Sequence, residues 1–158
     1  MKKLYSFLPL VILLLALFAG IVVFQGEGVI ENFEKENNFH LSIGGAVFNI
    51  EIADTTKRRQ QGLSGRESLA FDSGMLFVFE REDIHGIWMK DMQFPIDIIW
   101  LDEEFVVVDI VSNVSQESFP KIFQPHALAL YVLELKAGTV ERMGITTGDK
   151  MQGTMFGG

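Results

Sequence analysis

The sequence predicts a mainly β domain, a compact antiparallel barrel or sandwich of jelly-roll type with two short helices, carried behind one N-terminal transmembrane helix. Three observations lead there. Beyond Phe39, short apolar stretches recur with the two-residue period of strands, and turn residues separate them at close spacing. Only two later segments carry helix start and stop signals, and each is short. Ahead of all this, Leu4 to Phe24 form one apolar run broken only by Ser6, Pro9 and Gly20.

That run holds 21 residues. At about 1.5 Å of rise per residue it makes a helix about 31 Å long, enough to cross the hydrocarbon core of a bilayer. A cleaved signal peptide is the rival, with Leu17 and Ala19 as a weak cleavage pair. The apolar run continues past them, which favours an uncleaved anchor over residues 1–24. Lys2 and Lys3 favour the cytoplasmic side, so the remainder is expected outside, as a single-pass extracytoplasmic protein. Residues 25–38, with four glutamates and two glycines, read as an acidic linker to a β domain over 39–158.

Within that domain, Phe39–Ile43 and Ala46–Ala53 form a hairpin closed by Gly44-Gly45. Asp54 or Thr55 caps a short helix that Gly62 stops. Strands follow at Met75–Phe79, Gly86–Lys90, Pro95–Leu101, Phe105–Val111 and Ala129–Leu135, with a tight turn at Asp102-Glu103-Glu104. Thr139 is placed as the cap of a second helix, with Gly144 after it. Thr147-Gly148-Asp149 then turns the chain into a last short strand.

The chain has 158 residues and a net charge of −8. Setting aside Lys2 and Lys3 leaves 11 basic residues against 21 acidic ones, a net charge of −10. Phosphate backbones repel such a domain, which argues against a nucleic-acid partner. There is no cysteine, hence neither a disulfide framework nor a thiolate site. His40, His85 and His126 lack ligand-like spacing, the glycines form no phosphate-binding fingerprint, and no nucleophile elbow occurs. No metal and no cofactor are expected.

Charges on apolar strands are the conspicuous feature. Alternation puts Ile96, Ile98 and Trp100 on one face of their strand, and Asp97, Ile99 and Leu101 on the other. Asp97 either serves a polar ligand in an apolar pocket or accepts hydrogen bonds, or pairs with Lys90 or Arg59. Trp88 and Lys90 share a face, a combination found in pockets for carbohydrates and small polar ligands and also in ordinary packing. Glu134 interrupts Tyr131-Val132-Leu133-Glu134-Leu135 and reads first as a surface charge on an edge strand. Asp97 and Glu134 together are the candidate acid/base pair should the protein be an enzyme.

The ordered set Arg59-x-x-Gly62-Leu63, Arg66, Gly74-Met75-Leu76-Phe77, Trp88-Met89-Lys90, Pro95-x-Asp97 and Tyr131 to Leu135 closely resembles the domain of unknown function 192 family. Ala137-Gly138, Gly144-Ile145 and Gly148-Asp149 extend the match, which runs over roughly Phe39 to Met151. The resemblance implies a barrel-like or jelly-roll-like β domain, often exported or membrane-anchored, with no settled activity. The positions matching the family's signature are Arg59, Arg66, Trp88, Lys90, Asp97 and Glu134, and these six are the candidate ligand-binding residues. The sequence departs from the family pattern at Asp91-Met92, where Asn-Thr is usual, and at Ser64 and Leu130.

Three functions are compatible with these features. The first is a tethered domain binding a small polar ligand such as a carbohydrate, with no assigned protein partner. The second is an envelope interaction or assembly module, and the third a hydrolase using Asp97 and Glu134.

Overall fold

The computed structural model describes residues 38–153. The predicted anchor and nearly all of the acidic linker lie outside them. Among the described residues no helix is long and apolar enough to cross a membrane.

The chain folds into β1 (Asn38–Ile43), β2 (Ala46–Ala53), α1 (Thr56–Gln61), β3 (Ser73–Asp83), β4 (Ile87–Trp88), β5 (Ile96–Leu101), β6 (Val107–Val114), a single 3₁₀ turn (Gln116–Ser118), β7 (Ile122–Phe123), β8 (Ala129–Lys136), α2 (Thr139–Met143) and β9 (Gln152–Gly153). Seven strands make one sheet in the order β6-β5-β8-β3-β2-β1-β9, and β4 and β7 form a separate two-stranded ribbon. The domain is therefore mainly β with two short helices, and its sheet curls into a half-barrel.

Local chemistry explains most boundaries. Gly44 and Gly45 have φ of 59° and 76°, the left-handed pair that matches a two-residue hairpin turn to strand twist. The Thr55 hydroxyl accepts from the Arg58 N–H, and Gly62 ends α1 at φ 50°. Asp102 Oδ1 accepts from the Glu104 and Val106 N–H groups, which fixes the turn before β6.

Two features depart from the antiparallel barrel or sandwich. β2 and β3 run parallel, and the intervening α1 and loop supply the crossover that parallel pairing demands. The sheet also stays open as a ladder, although its ends approach one another. The Val107 N–H donates to the Asp149 carbonyl, and the Met151 N–H to the Phe105 carbonyl.

Each face of the sheet carries its own core. Inside the curl lie Phe48, Ile50, Leu76, Ile99, Leu101, Leu133 and Leu135, closed by Val140, Ile145 and Met151. On the other face Met75, Phe77, Ile98, Trp100 and Val132 are covered by Leu63, Leu69, Ile87, Met89 and Phe94. Burial on both faces explains why all six residues of β5 are buried, and why its sequence reads as a nearly continuous apolar run.

Asp97 sits inside the curl, fully buried. Its Oδ1 accepts from the Asn113 N–H and its Oδ2 from the Val140 N–H, both at 2.8 Å. Neither Lys90 nor Arg59 pairs with it. Thr139, predicted to cap α2, is instead its first residue, behind Gly138 at the cap position. The Thr139 hydroxyl is buried without a hydrogen-bond partner among the described residues. Asp97 performs the capping from a strand 43 residues away in sequence. This role is architectural: one carboxylate ties β5, the end of β6 and the start of α2 together.

Candidate functional site

β8 lies in the interior of the sheet, between β5 and β3. Glu134 is accordingly not an edge-strand surface charge. It is paired with Ile98 on one side and Met75 on the other, with only 4% of its surface exposed. Parallel pairing of β2 with β3 adds Glu51 next to Met75, so Glu51, Met75, Glu134 and Ile98 form one row across four strands. Glu134 faces the core covered by Leu63 and Ile87, whereas Asp97, opposite Leu135, faces the inside of the curl. The two carboxylates therefore stand on opposite sides of the sheet and cannot act as one acid/base pair.

One cleft opens above Glu134. It encloses about 220 Å³ and is lined by α1 residues Arg59, Gln60 and Gln61, by Leu63 and Ser64, by Phe77 and Phe79, by Ile87, Trp88 and Met92, and by Glu134 itself. Burial in this apolar setting disfavours the charged carboxylate and pushes Glu134 up to about 8 from an ordinary value of 4.5, with Arg66 opposing the shift. Its Oε2 is buried without a hydrogen-bond partner among the described residues. An unpartnered buried oxygen is a burden to the fold, and here it belongs to a residue that lines a cavity.

Arg66 does not neutralise it. Both of its terminal nitrogens go to Glu51, the second at 2.7 Å. That paired hydrogen bond holds Glu51 below the usual carboxylate range and Arg66 above its own. Arg59 is equally committed. Nη1 donates to the Asp54 and Val78 carbonyls at 2.8 Å, and Nη2 approaches Glu80 at 3.3 Å. Its guanidinium also lies 5.3 Å from the centre of the Phe79 ring, which stacks on His85 at 3.5 Å. The carbonyl of His85 in turn accepts from Nε1 of the fully buried Trp100. Core packing thus fixes the cleft wall through Trp100, His85, Phe79 and Arg59 in succession.

The opposite wall is the β4–β7 ribbon. Trp88 pairs with Ile122 and meets the Phe119 ring edge-on at 6.5 Å. Gly86 lets the ribbon close, since a Cβ there would lie 2.6 Å from the Ile122 side chain. Alternation along Trp88-Met89-Lys90 holds: Met89 is buried, while Trp88 remains 51% exposed and Lys90 is exposed. The loop after α1 is pinned to this segment, with Ser64 Oγ donating to the Lys90 carbonyl and the Gly65 N–H to that of Asp91. A second, more polar hollow of about 570 Å³ continues past Trp88 between Gln60, Gln61, Ser64, Gly65, Lys90 and Asp91.

Of the six sequence-predicted site residues, Arg59, Trp88 and Glu134 line the cleft, and Lys90 lines its outer continuation. Arg66 stands behind the wall as the partner of Glu51, and Asp97 is elsewhere. Sequence reasoning missed Gln60, Gln61, Ser64, Phe79 and Met92. Ser64 and Met92 stand out only as departures from the family pattern, and nothing distinguishes Gln60, Gln61 and Phe79 from an ordinary helix face and strand.

A search of curated proteins finds no match. Among solved structures, a protein from Sinorhizobium meliloti 1021 described as a candidate transcription regulator is 31% identical with a TM-score of 0.70, covering 75% of this chain and 95% of its own. A protein of unknown function from Novosphingobium aromaticivorans DSM 12444 is 29% identical with a TM-score of 0.66, covering 72% of this chain and 83% of its own. The family model for DUF192, described as an uncharacterized ACR, matches residues 39–153. On that match over most of its length, this chain belongs to the domain of unknown function 192 family.

Proposed function

We propose that this protein is a membrane-tethered, extracytoplasmic β domain that binds a small polar ligand, such as a carbohydrate, in the cleft above Glu134. One observation carries the reading: Glu134, a buried glutamate whose Oε2 has no partner, lines a cavity that also presents an aromatic ring and polar side chains. A fold retains an unsatisfied polar atom at a loss of stability, and such losses concentrate where something is bound. Trp88, half exposed at the mouth, offers an apolar face and an N–H donor. The apolar run at 4–24 behind Lys2 and Lys3 supports the tether, and the acidic composition argues against a nucleic-acid partner.

Trp88 also provides the assay, because Trp100, the second of the chain's two tryptophans, is fully buried. Screening neutral and charged sugars and other small polar compounds should yield one that changes Trp88 emission and raises the melting temperature. A broad screen that moves neither would overturn the ligand-binding reading. The tether is checked separately, by whether the protein stays with membranes after an alkaline wash.

An interaction module is the second reading. Trp88 and Ile122 on the ribbon and Phe119 just before it are each about half exposed and favour it. Crosslinking from the ribbon in intact membranes, with loss of the crosslink on Ile122→Ser, distinguishes it.

A further inference from the structure

The inner end of the cleft combines one polar atom with apolar walls. Glu134 is flanked on its sheet by Met75 and Ile98, and Leu63, Phe77, Phe79, Ile87 and Met92 line the same cavity. The charged groups on its side of the sheet are Arg59 from α1, Arg66 from the following loop and Glu51 of β2, which holds Arg66, with Lys90 and Asp91 at the outer mouth. Both guanidiniums hydrogen-bond to other acceptors, so a Glu134 anion would have no direct partner and only the through-space attraction of Arg66. A protonated Glu134 offers a ligand ammonium no anion to pair with. The group that fits is neutral, accepts a hydrogen bond from a carboxyl O–H and carries an apolar substituent. An amide carbonyl bearing a methyl group has those properties. Outside it, the exposed face of Trp88 suits the C–H face of a sugar ring, and Gln60, Gln61 and Ser64 supply partners for its hydroxyls.

Resting on the ligand-binding reading above, we infer that the cleft takes an N-acylated amino sugar, with its acyl carbonyl accepting from the Glu134 carboxyl and its methyl group lying against Leu63, Phe77 and Ile87. The polar hollow beyond Trp88 shares Gln60, Gln61, Ser64 and Trp88 with the cleft, so a second sugar unit continues into it. Donation requires the protonated carboxyl, and burial keeps Glu134 protonated up to about pH 8. Affinity is therefore present below that pH and falls as pH rises through it, by about tenfold per pH unit above the folded value.

Calorimetric titration of the full chain in detergent tests this with five probes: N-acetylglucosamine, its β-1,4-linked disaccharide, glucose, glucosamine, and N-acetylalanine amide. The expected order is disaccharide, then N-acetylglucosamine, then glucose at least about tenfold weaker, with no binding of glucosamine or the amide. Glu134→Gln keeps a donor at every pH. Its affinity for N-acetylglucosamine, whatever its size, should be the same at pH 6 and pH 9, whereas the wild type weakens about tenfold between them. Glu134→Leu and Trp88→Ala should each abolish or sharply weaken binding.

Equal binding of glucose and N-acetylglucosamine would overturn the acyl requirement and leave the small-ligand reading standing. Binding of N-acetylalanine amide alone would overturn the sugar class in favour of a peptide. Binding of none of the five overturns the inference, while the small-ligand reading is decided by the broader screen.

Discussion

Replacing Glu134 by Gln preserves shape and a hydrogen-bond donor while removing the one titration that burial most perturbs. Burial holds the folded carboxyl at about 8, against an ordinary value of 4.5. A raised folded value means that the native state binds more protons than the unfolded chain between those limits. Stability contributed by the group is then complete at low pH and is lost as pH rises through the folded value. One pKa unit corresponds to about 1.36 kcal/mol, so the full loss approaches about 5 kcal/mol. Between pH 5.5 and 7.5 it amounts to about 2–3 kcal/mol.

Glu134→Gln lacks this term. It should match the wild type below about pH 4, lead it by about 1 kcal/mol at pH 5.5 and lead it by about 4 kcal/mol at pH 7.5. In urea titrations with a slope of about 1.5 kcal/mol/M, the gap in midpoint should widen by about 1.5–2 M over that range. Taking the difference between variant and wild type at each pH removes the contribution of every other titrating group. A difference that stays flat, or a variant that loses ground as pH rises, would refute the claim that Glu134 is buried uncompensated. A gain of the expected size would mark Glu134 as a residue that lowers stability and is retained for function.

Further outcomes follow from the same geometry. Asp97→Asn turns an amide N–H₂ toward one of two buried backbone donors and should lower stability by about 2–4 kcal/mol in urea unfolding, with Asp97→Ala lower still and ligand affinity unchanged in Asn. Trp88→Ala removes a half-exposed side chain and should cost less than about 1 kcal/mol while greatly reducing ligand-induced stabilisation in thermal melts. Glu51→Gln releases Arg66 from its paired carboxylate. The freed cation should favour ionised Glu134, so the pH at which stability stops falling should drop below 8. Gly74→Ala would place a Cβ 2.6 Å from the Leu135 side chain and 2.7 Å from the Glu134 carbonyl, so soluble folded protein should be sharply reduced.

What was legible in the sequence was local. The Gly44-Gly45 hairpin and the helix between Thr55 and Gly62 follow from the conformations those residues favour, and both are where the sequence puts them. The sorting of Val132 and Glu134 away from Leu133 and Leu135 follows from the two-residue period. The second helix was placed correctly and its cap was not, because its capping carboxylate comes from distant Asp97. The strand at Ile122–Phe123 went unseen, being two residues long and existing only by pairing with β4.

Periodicity assigns a residue to a face but does not say what covers that face. Glu134 shows this most directly. Its pattern is the same on an edge strand and in the middle of a sheet, and only the order β5-β8-β3 makes it interior. Asp97 shows the converse, since a carboxylate placed as a candidate ligand group turns out to satisfy two backbone donors from opposite ends of the domain.

By itself, the sequence determined the β character, the two helices, the family and the short list of suspect charges, because these depend on neighbours along the chain. Only the tertiary structure decided that Arg59, Trp88 and Glu134 share one cleft and that Asp97 lies across the sheet from it. Strand order and the parallel β2–β3 pairing are set by contacts between distant segments, and no local period encodes them.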